Sequence, residues 1–326
     1  MKRRDFFSKT ILSATVASGL ITKLGAENTP PSVSTTESAQ IGTTETTRKA
    51  VVRIAHLTDI HVKPDKIAEE GMARAFRNTN ALNPRPDFII NGGDSIMDAL
   101  DKTKDEVKAQ WAVYKRILKS DNSLPVVHAI GNHDIYGWLS KDGTVKSDPS
   151  YGKKWAIDEL KLPKRFYSFE RAGWKFIVLD SVQLNPAGGY TAYIDPEQFE
   201  WLKAELEATA TAKHICIVSH VPILSLCAGL FFGKNEPNGD LLTKHNIMHS
   251  DAFKLKNLFK NHANIRVCLS GHVHLQDEVQ YLGITYYCNG AVSGAWWKGA
   301  FQDFPPAYAV LDYYDDGSFE RFFVNY

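Results

Sequence analysis

Side chains that can bind metals or carry protons follow five apolar runs of this chain, at the point where each run ends. The clearest example is Gly131-Asn132-His133-Asp134, which follows the apolar run 124–130. Asparagine can ligate a metal through its amide oxygen, and histidine can carry a proton near neutral pH. The glycine is expected to permit a sharp turn where the strand stops. The other four runs end in Asp59/His61, Asp94, His220 and His272/His274.

Two of these motifs repeat polar residues at a spacing of two. On an extended chain, residues i and i+2 point to the same side. We therefore expect Asp59 and His61 to hold one ion together, and the two imidazoles of His272 and His274 to face one way.

The apolar runs read as strands that alternate with helical stretches. Ile67, Met72 and Phe76 recur on one face of a predicted helix, Thr103 and Glu106 form a capping box, and Asp195-Pro196 begins a further helix. Such alternation favours a largely parallel arrangement of strands. Functional crevices in these sheets lie beyond the carboxyl ends of the strands, so the five motifs are expected to converge there.

The C-terminal part reads as all-β, with predicted strands at 279–288, 308–313 and 319–324. Asp315-Asp316-Gly317 supplies a hairpin turn between the last two strands. The segment 290–301, with Trp296 and Trp297, has two open interpretations: it lines the mouth of the site or it covers the core. Long loops beside a polar cluster often act as binding lids, so Trp138, Tyr151 and Trp155 are candidates for substrate contact.

The motifs offer more ligands than one ion needs. Leaving out His133, they provide two carboxylates, one amide and four imidazoles, seven groups in all. Seven is too many for one tetrahedral ion but fits two ions that share a carboxylate, typically ~3.5–4 Å apart. So many ionisable groups cannot be desolvated together without a compensating cation, which disfavours a purely structural role in capping strands.

The combination of motifs resembles the calcineurin-like metallophosphoesterase superfamily over residues 53–274. The resemblance implies an α/β fold, a four-layer α/β/β/α sandwich of two mixed sheets. It also implies that Asp59, His61 and His274 hold a first metal, that Asn132, His220 and His272 hold a second, and that Asp94 bridges them. Asp98 and Asp134 are the candidates for residues that orient the catalytic His133. A histidine at position 61 points away from the purple acid phosphatases, and the Gly-Asn-His-Asp form is nearer to the cyclic-nucleotide phosphodiesterases.

The expected activity is hydrolysis of small phosphomonoesters or phosphodiesters. Two Mn, Fe or Zn ions suit the mixed nitrogen and oxygen ligands and would yield a bridging hydroxide for in-line attack. His133, which is not needed as a ligand, would protonate the leaving group. The alternative is a catalytically silent metal-binding protein of the cell envelope with the same fold, and the presence of His133 speaks against it. The substrate, the native metals and the oligomeric state stay open.

The N-terminal residues are expected to lie outside the catalytic domain. Lys2-Arg3-Arg4 precedes a weakly apolar segment, so residues 1–26 resemble a Tat export signal, which predicts a periplasmic location. That segment is too short and polar to span a membrane stably. Residues 27–49, rich in Ser and Thr, read as a disordered linker, and residues 50–326 as the metallophosphoesterase domain.

The overall composition excludes some other classes of function. Of 326 residues 44% are hydrophobic, and the net charge of +1 gives no basis for nucleic-acid binding. Four cysteines at positions 216, 227, 268 and 288 lack CxxC spacing and are predicted to be unpaired.

Overall fold

The computed structural model describes residues 48–326, so the predicted export signal and all but the end of the predicted linker lie outside the described residues. The strands are β1 Ala50–Leu57, β2 Phe88–Asn91, β3 Val126–His128, β4 Tyr167–Arg171, β5 Trp174–Val178, β6 Val182–Leu184, β7 Tyr190–Ala192, β8 His214–Val218, β9 Lys234–Asn235, β10 Leu241–Leu242, β11 Ile265–Ser270, β12 Gln276–Tyr281, β13 Ile284–Asn289, β14 Ala307–Tyr314 and β15 Phe319–Asn325. The helices are α1 Lys66–Asn80, α2 Lys104–Asp121, α3 Lys154–Leu160, α4 Pro196–Ala208, α5 Leu226–Phe232 and α6 Ala252–Phe259, and Asn132–Asp134 and Gly143–Ser147 are short 3-10 turns.

Most strands belong to two mixed sheets. The first sheet has the order β15-β14-β1-β2-β3, in which β1, β2 and β3 are parallel and β14 is antiparallel to β1. The second has the order β12-β13-β11-β8-β5-β4, in which the four central strands are parallel and β12 and β4 are antiparallel. Each sheet therefore carries parallel strands whose carboxyl ends can meet at one edge.

Three apolar cores separate four layers. Ile54 of the first sheet and Phe176 of the second lie in the core between the sheets. Phe76 of α1 and Trp111 of α2 pack on the outer face of the first sheet, and Leu202 of α4 packs on the outer face of the second. Central strands that are buried on both faces need apolar residues at every position, which is why they read as continuous apolar runs. The layering confirms the predicted α/β/β/α sandwich.

The predicted helix starts are correct, but one apolar residue was placed wrongly. Thr103 and Glu106 form the capping box of α2, and the Asp195 side chain caps α4. Ile67 is 66% exposed, although it was predicted to share the buried face of Phe76. Phe76 is nine positions after Ile67, which is two and a half turns at 3.6 residues per turn, so the two side chains lie on opposite sides of α1.

The predicted strand at 279–288 is in fact two strands. A turn at Leu282-Gly283 separates β12 from β13, and both turn residues have positive φ, 52° and 78°. Glycine and asparagine usually fill such a turn, so Leu282 hid it. Among residues 48–326, no helix has both the length and the apolar character that a membrane span requires.

Candidate metal centre

The five predicted motifs meet at an edge shared by the two sheets. The first sheet contributes the segments after β1, β2 and β3, and the second contributes those after β8 and β11. Three overlapping groups of potential ligands lie there, each with ligand atoms within 4.8 Å of one another. They are Asp59/His61/His274, Asp94/His220/His272 and His61/Asp94/His133.

The first group presents two imidazole nitrogens and a carboxylate. Nε2 of His61 lies 3.0 Å from Nε2 of His274, which is 3.4 Å from Oδ1 of Asp59. Nδ1 of His274 lies 2.6 Å from the carbonyl oxygen of Gly294, to which it donates a hydrogen bond. That bond uses the proton on Nδ1 and orients the ring so that Nε2 faces the other members of the group as the candidate ligand atom.

The second group is held in the same way. Nδ1 of His220 donates to the carbonyl of Gly92 at 2.9 Å, and its Nε2 lies 3.2 Å from Oδ1 of Asn132. Nε2 of His272 donates to the carbonyl of Asn246 at 2.8 Å. The other ring nitrogen of His272 is buried and has no hydrogen-bond partner. A buried polar atom without a partner is costly, and a cation at this position would satisfy it. The residues present therefore fit a metal pair.

Asp94 connects the two groups. Its Oδ2 lies 3.3 Å from Nε2 of His220 and 3.6 Å from Nε2 of His61. Burial alone would raise the pKa of Asp94, but the imidazoles of His220 and His133 hold it well below its usual range. The pKa of the buried Asp59 is likewise lowered, against the effect of burial, by its hydrogen bond to His274. Both carboxylates are therefore anions, as ligands of a cation must be.

The backbone of the two residue pairs spaced by two is not extended, contrary to the prediction. Asp59 and His61 do not continue an extended strand, because β1 ends at Leu57 and both residues have positive φ, 56° and 48°. His272 and His274 also have positive φ, and their imidazoles join different groups instead of facing one way. Left-handed backbone is strained for residues other than glycine and occurs mainly where the surrounding structure enforces it, often at functional sites.

Gly131 is needed for a reason other than the one predicted. Its φ of −93° is ordinary for any residue. A Cβ at this position, however, would lie 2.1 Å from Oδ1 of Asp94. The glycine therefore allows the close approach of the loop after β3 to the shared carboxylate.

His133 lies beside both groups and has a carboxylate partner of its own. Its ring centroid is 4.8 Å from that of His61, and its Nδ1 is 3.6 Å from Oδ1 of Asp98. Burial lowers the pKa of His133, but the charges of Asp94 and Asp98 outweigh burial and raise it. The side chain is 27% exposed and lines the cavity above the metal groups.

The two candidate orienting residues differ in what they contact. Asp98 is next to the His133 imidazole. Asp134 is buried and accepts hydrogen bonds from the backbone of Ser95 at 2.8 Å and Gly131 at 2.9 Å. Burial and the charge of Asp94 raise the pKa of Asp134 to about 7. Asp134 thus joins the loops after β2 and β3, and Asp98 is the better candidate for orienting the imidazole.

A cavity of about 180 Å³ opens over the ligand groups. Tyr190 and Phe232, which the sequence interpretation did not single out, form part of its wall together with Trp296 and Phe301 of the segment 290–301. Tyr190 and Phe232 come from two separate segments with no shared motif, so no local signal could have found them. Trp297 instead packs against the core beside α1. Each of the two interpretations of segment 290–301 is therefore right for one tryptophan.

Other residues noted in the sequence lie away from this cavity. Trp138 and Trp155 pack against the core on the outer side of the first sheet, and neither they nor Tyr151 line the cavity. All four cysteines are free thiols, as predicted.

Comparison with known proteins gives a consistent family. The model of the calcineurin-like phosphoesterase family matches residues 52–276. A protein named a probable cyclic nucleotide phosphodiesterase, from Pseudoalteromonas sp. strain SM9913, is 27% identical over 75% of this chain and 80% of its own length. The human serine/threonine-protein phosphatase CPPED1 is 26% identical over 67% of this chain, which spans only 63% of that relative.

Solved structures share the fold. A dimetal phosphatase from Danio rerio aligns with a TM-score of 0.59 over 85% of this chain and 100% of its own, at 14% identity. A purple acid phosphatase from yellow lupin aligns with a TM-score of 0.50 over 85% of this chain and 54% of its own, at 15% identity.

Proposed function

This chain belongs to the calcineurin-like phosphoesterase family, and from that premise we propose that it is a two-metal hydrolase of small phosphoesters. The observation that supports this most is the pair of ligand groups joined through Asp94. A single structural cation would need only one such group of ligands. Two adjacent groups that share a carboxylate are the arrangement found in two-metal phosphoester hydrolases.

We assign the ligands as the sequence predicted. Asp59, His61 and His274 hold one cation, and Asn132, His220 and His272 hold the other, with Asp94 shared. Support comes from the carbonyl groups that fix the tautomers of His220, His272 and His274. Imidazole and carboxylate ligands together suit Mn, Fe or Zn better than Ca.

When bound, the two cations would polarise the phosphoryl oxygens and lower the pKa of a water molecule from 15.7 toward ~7, which supplies the nucleophile. Asn132 is neutral, so the two carboxylates do not cancel the charge of two divalent cations. The loaded site stays positive and attracts a phosphoester anion. His133 holds a proton that it donates to the leaving oxygen; because Nδ1 is the nitrogen nearer Asp98, Nε2 is the one left to donate.

The wall of the cavity favours a small substrate over a phosphoprotein. Aromatic side chains enclose the space above the ligand groups, which measures about 180 Å³. The named relatives include both cyclic nucleotide phosphodiesterases and a protein phosphatase. We place this chain nearer to the former, with phosphodiesters and phosphomonoesters of small alcohols as its substrates.

The test is a metal analysis combined with a substrate panel. Full-length protein is loaded with Mn²⁺, and we expect two ions per chain and turnover of at least one of bis(p-nitrophenyl) phosphate, p-nitrophenyl phosphate or a 3',5'-cyclic nucleotide. Asp94→Asn should abolish turnover and reduce bound metal while the protein stays folded. Asp142→Asn, at an exposed carboxylate on a surface turn, is the matched control and should change neither. Two bound ions without turnover of any phosphoester would favour the catalytically silent alternative.

A further inference from the structure

Trp296 is placed where it can touch a substrate bound over the metal groups. Its ring centroid is 4.6 Å from that of His274 and 6.0 Å from that of His61. Phe301 meets it edge to face at 5.5 Å, and Phe232 lies beyond Phe301 at 6.3 Å. The Trp296 residue is 37% exposed, so part of its ring remains open to the cavity.

The turn that carries Trp296 is strained and firmly anchored. Trp296 and Trp297 both have positive φ, 50° and 68°, which is costly for bulky residues. Nε1 of Trp297 donates to the carbonyl of His61 at 3.1 Å, and Oγ of Ser293 donates to the carbonyl of Asp59 at 2.8 Å. The same backbone segment that carries the ligands of the first group therefore fixes the position of this turn.

The strained turn places the side chains of Trp296 and Trp297 in different surroundings. The Trp297 ring packs against Gly71 of α1, where a Cβ would lie 2.1 Å from it. Trp296, the next residue, is thereby directed to the cavity instead of the core. A turn that served packing alone would not need to present a large aromatic side chain to the cavity.

We infer that Trp296, backed by Phe301, forms a subsite for a flat aromatic group on the organic part of the phosphoester. This inference rests on the proposed function. An aromatic ring offers a π face on which a flat ring stacks, with a gain that a saturated ring of the same size does not obtain. Trp296 and His133 both line the cavity, and their ring centroids lie 6.0 Å and 4.8 Å from that of His61. The subsite therefore shares the cavity with the imidazole that would protonate the leaving group.

The experiment compares two phosphonates that differ in aromaticity but not in ring size. Binding of phenylphosphonate and cyclohexylphosphonate to the Mn²⁺-loaded protein is measured by calorimetry, which requires no turnover. We expect the protein to favour the phenyl compound by about tenfold, Trp296→Leu to lose this preference, and Trp296→Phe to keep most of it. Tyr281→Leu, which removes an exposed aromatic ring on β12, is the control and should behave as the native protein.

The outcomes separate this inference from the proposed function. If both phosphonates bind and Trp296→Leu weakens them equally, or if that variant loses bound metal, Trp296 only packs over His274 and the inference is wrong while the proposed function stands. If the loaded native protein binds neither phosphonate and hydrolyses no phosphoester, the proposed function itself fails.

Discussion

The imidazoles of the site divide into two kinds by their surroundings. Burial lowers the pKa of His61 to about 3 and that of His272 to about 4, so both are neutral and able to ligate a cation. His133 has the opposite shift, because Asp94 and Asp98 outweigh the effect of burial and raise its pKa. In the metal-free protein the pKa of His220 is raised as well, because Asp94 outweighs burial there too, but that ring is fully buried and its Nδ1 is bonded to the Gly92 carbonyl. His133 differs from His220 in being partly exposed to the cavity and in lying beside Asp98, and this position supports His133 as the proton donor.

Replacing His133 by asparagine should slow the hydrolysis of esters with poor leaving groups. Loss of a general acid typically costs roughly 100- to 10,000-fold in kcat. An alkyl phosphoester needs a proton on its leaving oxygen and should show the whole loss, whereas a p-nitrophenyl ester, whose leaving group departs as a stable anion, should lose much less. Parallel kinetics on both esters, with metal content as control, measure the difference. Equal losses on the two esters would mean that His133 has another role, such as binding metal or substrate.

Replacing Asp98 by asparagine should shift the pH dependence toward acid. The Asp98 carboxylate raises the pKa of His133, and a general acid must be protonated to act, so activity falls as the pH rises through that pKa. Removing the charge lowers the pKa and moves the alkaline limb of the kcat/KM profile to lower pH. The asparagine keeps an oxygen that can accept from the backbone of Leu100, as Asp98 does at 2.8 Å. An unshifted alkaline limb with the alkyl ester would contradict the assignment of Asp98.

The elements that carry the site could be located from the sequence, but their ends could not. Apolar runs, a capping box and the Asp195-Pro196 start mark strands and helices by local rules, and those elements form as expected. The segments beyond the strands do not obey such rules. Asp59 and His272 adopt a left-handed backbone that their residue types disfavour, because hydrogen bonds between loops of different strands hold them there: the backbone N–H of His272 donates to the Asp59 carboxylate at 2.9 Å. Contacts between residues so far apart in the chain leave no local pattern.

The packing of α1 against the Trp297 ring, in the turn that carries Trp296 and Trp297, gives a prediction about these elements. Gly71→Ala should destabilise the protein although alanine is the better helix former, because the new Cβ would lie 2.1 Å from the Trp297 ring. Overpacking of this kind costs about 1–3 kcal/mol. Urea denaturation followed by fluorescence measures it. Gly143→Ala is the matched control, since a Cβ there meets no atom within 4 Å, and it should leave the midpoint unchanged. A Gly71→Ala variant as stable as the native protein would show that the turn can move.

At the scale of the whole molecule, the candidate site lies where the two sheets meet, beside the apolar core between them. Asp59 and Asp94 follow strands of the first sheet, and His220 and His274 follow strands of the second. The motif series predicted that these residues converge, since the carboxyl ends of parallel strands share an edge. It could not predict that Tyr190 and Phe232 join Trp296 in the wall of the cavity, because these residues belong to segments whose mutual placement depends on the packed fold. The ligand groups were predictable because metal-binding residue types recur at the ends of five strands, whereas the residues of the wall follow no recurring pattern.

Because the ligands come from both sheets, removal of metal should lower the melting temperature, and the loss should grow with pH. In the metal-free protein, burial lowers the pKa of His220, but Asp94 outweighs it and raises the pKa to about 9, above the unfolded value of 6.5. That shift contributes stability that is complete below pH 6.5 and is lost as the pH rises through 9, on the order of 3 kcal/mol.

A bound cation requires the unprotonated Nε2 of His220. The stabilisation that the cation provides therefore increases as the pH rises from 6.5 to 9. The gap in melting temperature between metal-loaded and EDTA-treated protein should therefore widen from pH 6.5 to 9. Scanning calorimetry at several pH values measures it, with His220→Gln as the variant in which the widening should largely disappear. A gap that stays constant with pH in the native protein would show that His220 carries no proton in the metal-free state, and the ion pair with Asp94 would then not exist.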